Sequence, residues 1–173
     1  MEDLSLHILD IVENSTMAGA TMVEIRIEED GTNDMLMLTV KDNGAGMDGK
    51  TSKAVRDPFT TSRKTRRVGL GIPLLEQSAR EAGGGIVIDS EPGKGTTITA
   101  SFGLSHIDRR PLGDLASTII TLIMGNPGID FLVHVDAAGL SAELDTREVR
   151  STLGETPITH PRVLETIRGL FEG

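Results

Sequence analysis

One pair of polar residues near the start of the chain has the types and spacing that a metal-phosphate site requires. Asp10 and Asn14 lie four residues apart in a segment with helical periodicity, which puts a carboxylate and a carboxamide one turn apart on one face. Their oxygen atoms are ligands that Mg²⁺ accepts. A lone pair of this kind is more often part of a solvated helix face, so both interpretations stay open for the pair alone.

Asp42 is a second candidate, and it opens the glycine-rich segment DNGAGMD over residues 42–48. Gly44 and Gly46 carry no side chain, so the backbone can take positive φ and approach a flat ligand closely. An Asx turn after a strand has the same composition. The segment is therefore either an ordinary turn or the wall of a ligand pocket.

Residues 57–68 hold four basic side chains against one acid, in a chain whose net charge is −9. Gly69, Leu70 and Gly71 then open a helix, whose backbone N–H groups and dipole favour an anion. The basic side chains before it would add charge-assisted hydrogen bonds to phosphate oxygens. A later segment, GKGTT, contains Thr96 and is most simply a hairpin turn.

The predicted elements follow a regular order up to residue 104. The periodicity predicts a helix over 4–18, a two-stranded hairpin, the glycine-rich loop, the helix after Gly69, and two further strands. This order favours an antiparallel sheet backed by helices, an α+β two-layer sandwich. Residues 105–173 begin with a polar linker over 105–111 and predict a small α/β appendage. Its predicted helices lie at 113–124, 146–153 and 161–171 and its strands at 129–135 and 139–144.

The composition excludes several classes of protein. There is no Cys, hence no disulfide or thiolate metal site, and no run of 18 apolar residues that could span a bilayer. The acidic start differs from a secretory signal, so we expect a cytoplasmic protein. The net negative charge opposes binding to nucleic acid or to a membrane surface.

Taken in order, ENSTMAGAT, DNGAGMD, TSRKTRRVGLG and SEPGKGTT resemble the four boxes of the GHKL, or Bergerat-fold, ATPases, which include gyrase, histidine kinases and the MutL mismatch-repair protein. The resemblance covers residues 4–104 and implies a histidine-kinase-like ATP-binding domain over 1–104. It also implies ATP and Mg²⁺ as the bound groups, and an ATPase or an ATP-dependent kinase as the enzyme.

The resemblance implies a role for each residue that matches a box. Asn14 would ligate the Mg²⁺ on the ATP phosphates, Asp42 would accept a hydrogen bond from the adenine amine, and Thr96 would reach the adenine edge. The other implied contacts are Gly44, Gly46 and Met47 around the adenine, Gly69, Leu70 and Gly71 at the phosphates, Phe59 in a lid over 57–68, and Arg63 and Lys64 at the γ-phosphate.

Two positions depart from the family pattern. Asp10 stands where gyrase-like and MutL-like members carry a Glu that activates water. The Asp side chain is shorter by one methylene, so its carboxylate would lie about 1 Å farther from that water. We therefore expect ATP binding with slow or partner-dependent hydrolysis. Arg67 replaces the first glycine of the G-x-G-L-G box, which alters the expected lid.

Two main functions fit these features, beside a third in which the pocket binds ATP only structurally. The first is a nucleotide-dependent switch that acts on a partner protein or a second subunit and is reset by slow hydrolysis. The second is a kinase that transfers phosphate to Ser or His of a separate protein. No acceptor-His helix occurs in the sequence, so we expect the effector on another chain. His7 is expected behind the site residues or partly exposed.

Overall fold

One six-stranded sheet organises the chain. The computed structural model describes residues 3–57 and 70–173, and the elements below belong to those ranges. The strands are β1 (Met22–Asp30), β2 (Met35–Asp42), β3 (Gly85–Glu91), β4 (Gly95–Gly103), β5 (Asp130–Ala137) and β6 (Leu140–Asp145). The helices are α1 (Leu4–Met17), α2 (Gly49–Ala54), α3 (Gly71–Glu81), α4 (Leu115–Gly125), α5 (Thr146–Leu153) and α6 (Pro161–Leu170).

The strands lie in the order β3-β4-β2-β1-β5-β6. Neighbouring strands are antiparallel except β1 and β5, which are parallel. The segment after residue 105 therefore adds the β5–β6 hairpin to the edge that β1 would otherwise expose. The architecture confirms the predicted α+β sandwich.

The core lies on one face of this sheet because alternate strand residues are apolar and buried there. Ile25, Val40, Ile98 and Val133 form one such row across four neighbouring strands. Buried side chains of α1, α3, α4 and α6 join the same hydrophobic cluster. The opposite face carries polar residues such as Arg26, whose guanidinium pairs with neighbouring glutamates.

Helix α1 begins at the side chain of Asp3, whose carboxylate accepts a hydrogen bond from the Leu6 amide. The apolar stripe Ile8, Ile11 and Val12 is fully buried, as its spacing predicts. Helix α4 packs against α1 and α6, so its apolar face is core. The short helix α2 is not among the elements predicted from the sequence.

Within the described ranges, no helix combines the length and apolar character needed to cross a membrane.

His7 is more deeply placed than expected. Its side chain is fully buried, and neither ring nitrogen has a hydrogen-bond partner among the residues that the structure describes. Burial disfavours the charged imidazolium and, together with the guanidinium of Arg110, lowers the pKa of His7 to about 4. The expectation of a partly exposed His7 is therefore wrong, because the side chain lies on the buried side of α1.

Substitution His7→Leu should flatten the pH dependence of stability. The unfolded chain takes up a proton near pH 6.5, whereas the folded chain resists it until about pH 4. The wild-type free energy of unfolding should therefore fall by about 3 kcal/mol more than that of the variant as pH drops from 7 to 4. Urea titrations of both proteins across this range measure the difference, and parallel curves would contradict it.

Candidate functional site

Three polar side chains form a row at one end of the sheet's buried face. Asp42 ends β2 and pairs with Thr96 of β4, which in turn pairs with Ser90 of β3. The hydroxyls of Thr96 and Ser90 are hydrogen bonded at 2.7 Å. The next row toward the centre of the sheet is apolar, so this polar row lies at the edge of the hydrophobic core.

Asp42 keeps a buried carboxylate at this boundary, with only 9% of the residue exposed. The Ser15 hydroxyl of α1 donates to its Oδ2 at 2.7 Å, and the Gly44 amide donates to its Oδ1 at 2.9 Å. Each carboxylate oxygen can accept a further hydrogen bond. Asp42 is therefore fixed by two donors and still has acceptor capacity for a ligand.

The loop after Asp42 is tied to the structure on both sides. On one side, Asn43 Oδ1 accepts hydrogen bonds from the backbone amides of Thr21 and Met22, and the Ala45 amide donates to the Ala18 carbonyl. On the other side, the Met47 amide donates to Ser90 Oγ at 2.8 Å. The loop is thus held between the end of α1 and the β3–β4 hairpin.

Gly46 is required where the loop meets that hairpin. Its φ is +69°, and a Cβ at this position would lie 1.9 Å from the carbonyl oxygen of Glu91. Gly44 also sits against a neighbour, since an added Cβ would be 2.9 Å from the Ala18 side chain. The glycines predicted from the sequence therefore allow backbone to approach backbone.

These elements enclose a cavity of about 310 Å³ between α1, α2, α3 and the sheet. Its apolar walls include Ile11, Val40, Val55, Ile72 and Ile98. Its polar lining includes Asn14, Ser15, Asp42, Thr51 and Thr96, and Gly46 and Met47 line it as well. A mostly apolar cavity with a few convergent polar groups is typical of a small-molecule site.

Asn14 reaches this cavity from α1, and its side-chain Nδ2 is buried without a hydrogen-bond partner within the described part of the chain. Asp10, one turn earlier, is half-buried and lies against the start of α3, where a Cβ on Gly71 would be 3.2 Å from that of Asp10. Burial, with a contribution from the Glu13 carboxylate, raises the pKa of Asp10. The predicted pair therefore sits at the meeting point of α1 and α3.

Helix α3 begins at Gly71, and within the described ranges no side chain caps its N-terminus. Leu70 precedes the helix and is 56% exposed, away from the cavity lining. Phe59, Arg63, Lys64 and Gly69 lie outside the described residues. Of the predicted site residues, the structure thus gathers Asn14, Asp42, Gly46, Met47 and Thr96 around one cavity, with Gly44 behind Asp42 and Asp10 beside Gly71.

Four side chains that shape this region were not predicted from the sequence. Ser15 and Ser90 hold Asp42, Thr96 and the loop in place, while Thr51 and Val55 form a wall on the unexpected helix α2. Asp48 gives the one sequence signal for that helix, because its carboxylate accepts a hydrogen bond from the Thr51 amide as an N-cap does. The two serines have no such signal.

Comparison with known proteins bears on what this cavity holds. The model of the family described as histidine kinase-, DNA gyrase B- and HSP90-like ATPase matches residues 2–106. The chain belongs to this family. Membership in this ATPase family supports ATP binding, and the match contains every residue of the cavity described above.

Relatives of this ATPase-family chain include three bacterial signalling proteins. A sensor protein of Shewanella frigidimarina is 35% identical over 109 residues, which cover 62% of this chain and 17% of the relative. The sensor histidine kinase WalK of Bacillus subtilis is 33% identical over 57% of this chain and 17% of its own length. The signal transduction histidine-protein kinase AtoS of Escherichia coli is 33% identical over 57% of this chain and 16% of its own length. The chain therefore spans less than a fifth of each of these relatives.

Substitution Gly46→Ala should lower the free energy of unfolding by about 1–3 kcal/mol. The added methyl group meets the Glu91 carbonyl, and the residue must keep a positive φ. Chemical unfolding measures the change. Gly49→Ala is the matched control, since nothing lies within 4 Å of its added Cβ and it opens helix α2. Equal stability of the two variants would contradict the assigned contact.

Proposed function

We propose that the chain binds Mg-ATP in the cavity beside Asp42 and acts as a slow ATPase or nucleotide-dependent switch on a partner protein. The observation that carries this proposal is a buried carboxylate that keeps free acceptor capacity at the edge of a mostly apolar cavity. An adenine ring has apolar faces and one exocyclic amine, and it matches this arrangement. Family membership supports the same ligand.

The polar row would give the preference for adenine. Asp42 as a carboxylate only accepts hydrogen bonds, so it favours a base that offers an amine and disfavours one that offers a carbonyl at the same edge. Adenine carries the amine where guanine carries a carbonyl. Thr96, oriented by Ser90, adds a hydroxyl that can donate or accept beside the carboxylate.

The residues on α1 fit a magnesium ion that is held mainly by phosphates. The described residues contain no cluster of three or more His, Asp and Glu side chains that could enclose a metal. The side-chain oxygen of Asn14 instead offers one ligand, and Mg²⁺ is commonly held by one or two side chains together with substrate phosphates. Bound there, the ion would neutralise phosphate charge, while the unpartnered Asn14 Nδ2 would donate to a phosphate oxygen.

Asp10 is the proposed base for hydrolysis. Its raised pKa makes the carboxylate a better proton acceptor. The Asp10 Cβ lies 3.2 Å from the position that a Cβ on Gly71 would take, beside the α3 N-terminus, where backbone amides favour an anion. The short Asp side chain, in place of the Glu of gyrase-like members, supports slow turnover. We propose that this slow step resets the switch.

A protein kinase is the second candidate. The identity to histidine kinases such as WalK and AtoS favours transfer of the γ-phosphate to Ser or His of a separate protein. Both candidates use the same ATP site and differ in what accepts the phosphoryl group. A protein partner, or a second copy of the chain, belongs to either proposal.

The adenine role of Asp42 predicts a change in base preference. Asp42→Asn introduces an amide donor and should weaken ATP binding by roughly 10- to 100-fold while GTP binding changes little, since hydrogen bonds to a charged group contribute about 1.5–3 kcal/mol. Calorimetric titration with both nucleotides measures this. Asp89→Asn, an exposed carboxylate next to Ser90, is the control. An unchanged ratio of ATP to GTP affinity would count against Asp42.

The proposed base predicts a loss of turnover without a loss of binding. With γ-labelled ATP and Mg²⁺, Asp10→Asn should release free phosphate at least about 100-fold more slowly than the parent, because general-base catalysis contributes on that order. Equal rates in the two proteins would remove Asp10 from the mechanism. Label that appears on a co-purified protein, instead of as free phosphate, would support the kinase.

A further inference from the structure

A cluster of charged side chains outside the cavity joins the end of α2 to α3 and to β3. Glu76 of α3 is 8% exposed. Its carboxylate accepts hydrogen bonds from Arg56 Nη2 at 2.8 Å, from Arg56 Nε at 3.4 Å and from Arg80 Nη2 at 2.8 Å. Arg56 Nη2 also donates to the Ile86 carbonyl of β3 at 3.2 Å. Arg56 thus connects the end of α2 with both α3 and β3.

Arg56 and Glu76 each follow, on their own element, a residue that lines the cavity. Arg56 follows Val55, which lines the cavity from the end of α2 together with Thr51. Glu76 lies one helical turn after Ile72, which lines the cavity from α3. The Arg56–Glu76 pair therefore spans the gap between the α2 wall and the α3 wall.

Helix α2 needs such a tie because its own packing is weak. It has six residues, none of them buried, and it lacks the apolar stripe that anchors the other helices of the site. An isolated helix of this length is not stable in water. A fork of two hydrogen bonds from a guanidinium to a buried carboxylate supplies a directional anchor in place of that packing.

We propose that Arg56 and Glu76 are positioning residues for the nucleotide site, which hold α2 against α3 so that Thr51 and Val55 close one wall of the cavity. This inference rests on the proposed binding of ATP. Neither residue lines the cavity, so their effect passes through the position of α2. If α2 occupies its place only a tenth of the time without the pair, the apparent Kd rises tenfold.

Arg80 provides a matched control on the same carboxylate. Its side chain is 71% exposed and it joins Glu76 to the helix on which both lie, four residues apart, so it does not reach α2. Arg56→Gln and Arg80→Gln each remove one guanidinium from Glu76, but only the first removes the connection between elements.

The test compares ATP and adenosine binding by calorimetry in the full chain and in Arg56→Gln, Glu76→Gln and Arg80→Gln. We expect both ligands to bind about tenfold more weakly to Arg56→Gln and Glu76→Gln, and within twofold of the parent to Arg80→Gln. Amide hydrogen exchange over residues 49–55 should be faster in the first two variants alone. Arg56→Lys, which keeps the charge without the fork, should fall between Arg56→Gln and the parent.

Two results would overturn the inference. One is affinity within twofold of the parent in both Arg56→Gln and Glu76→Gln. The other is weaker ATP binding with unchanged adenosine binding, which would indicate a loss of charge near the phosphates and not a displaced wall. If the parent and Arg80→Gln themselves bind no ATP, the proposed function fails instead. Should Glu76→Gln not fold, Arg56→Gln and Arg56→Lys carry the same comparison.

Discussion

The site depends on one carboxylate that is buried at the end of β2. A buried carboxylate without hydrogen bonds is strongly unfavourable, so Asp42 requires donors from elements that are distant in sequence. Ser15 supplies one from α1 and Gly44 supplies another from the following loop. The same two hydrogen bonds bring α1, β2 and the loop together, and they leave acceptor capacity facing the cavity.

The glycines of the site follow from that constraint. Once the loop turns back to donate to Asp42, its backbone must pass between α1 and the β3–β4 hairpin. Gly46 then meets the Glu91 carbonyl, and a Cβ at Gly95 would lie 2.0 Å from the carbonyl oxygen of Asp42 itself. A glycine-rich loop can therefore form a rigid wall of the cavity, because its glycines allow backbone to pack closely against backbone.

Much of this arrangement could be predicted from the sequence. The apolar stripe of α1 and the alternation of the strands predict the sandwich, and described residues of the first, second and fourth boxes lie around one cavity at one end of it. The parallel pairing of β5 with β1 could not be predicted, because strand order depends on which edge a distant hairpin covers. The burial of His7 was equally inaccessible, since its position on α1 borders both the buried stripe and the polar one.

The sequence also does not reveal the polar contacts between elements that are distant along the chain. Arg56 and Glu76 are 20 residues apart, and each alone has the pattern of an ordinary surface charge. Helix α2 has no hydrophobic periodicity, so only the Asp48 cap indicates it. Such contacts depend on the completed fold, which explains why the α2 wall of the cavity was less predictable than the polar residues Asn14, Asp42 and Thr96 that line it.

We propose that the base of ATP lies in the cavity between α1 and the polar row of the sheet. Amide NMR shifts of the full chain, titrated with adenosine alone, report on this position because no phosphate contact contributes to them. We expect the largest shifts at Ser15, Asp42, Gly46 and Thr96. Saturable binding with its largest shifts on the opposite face of the sheet, around Arg26 and His134, would show that the base does not lie in this cavity.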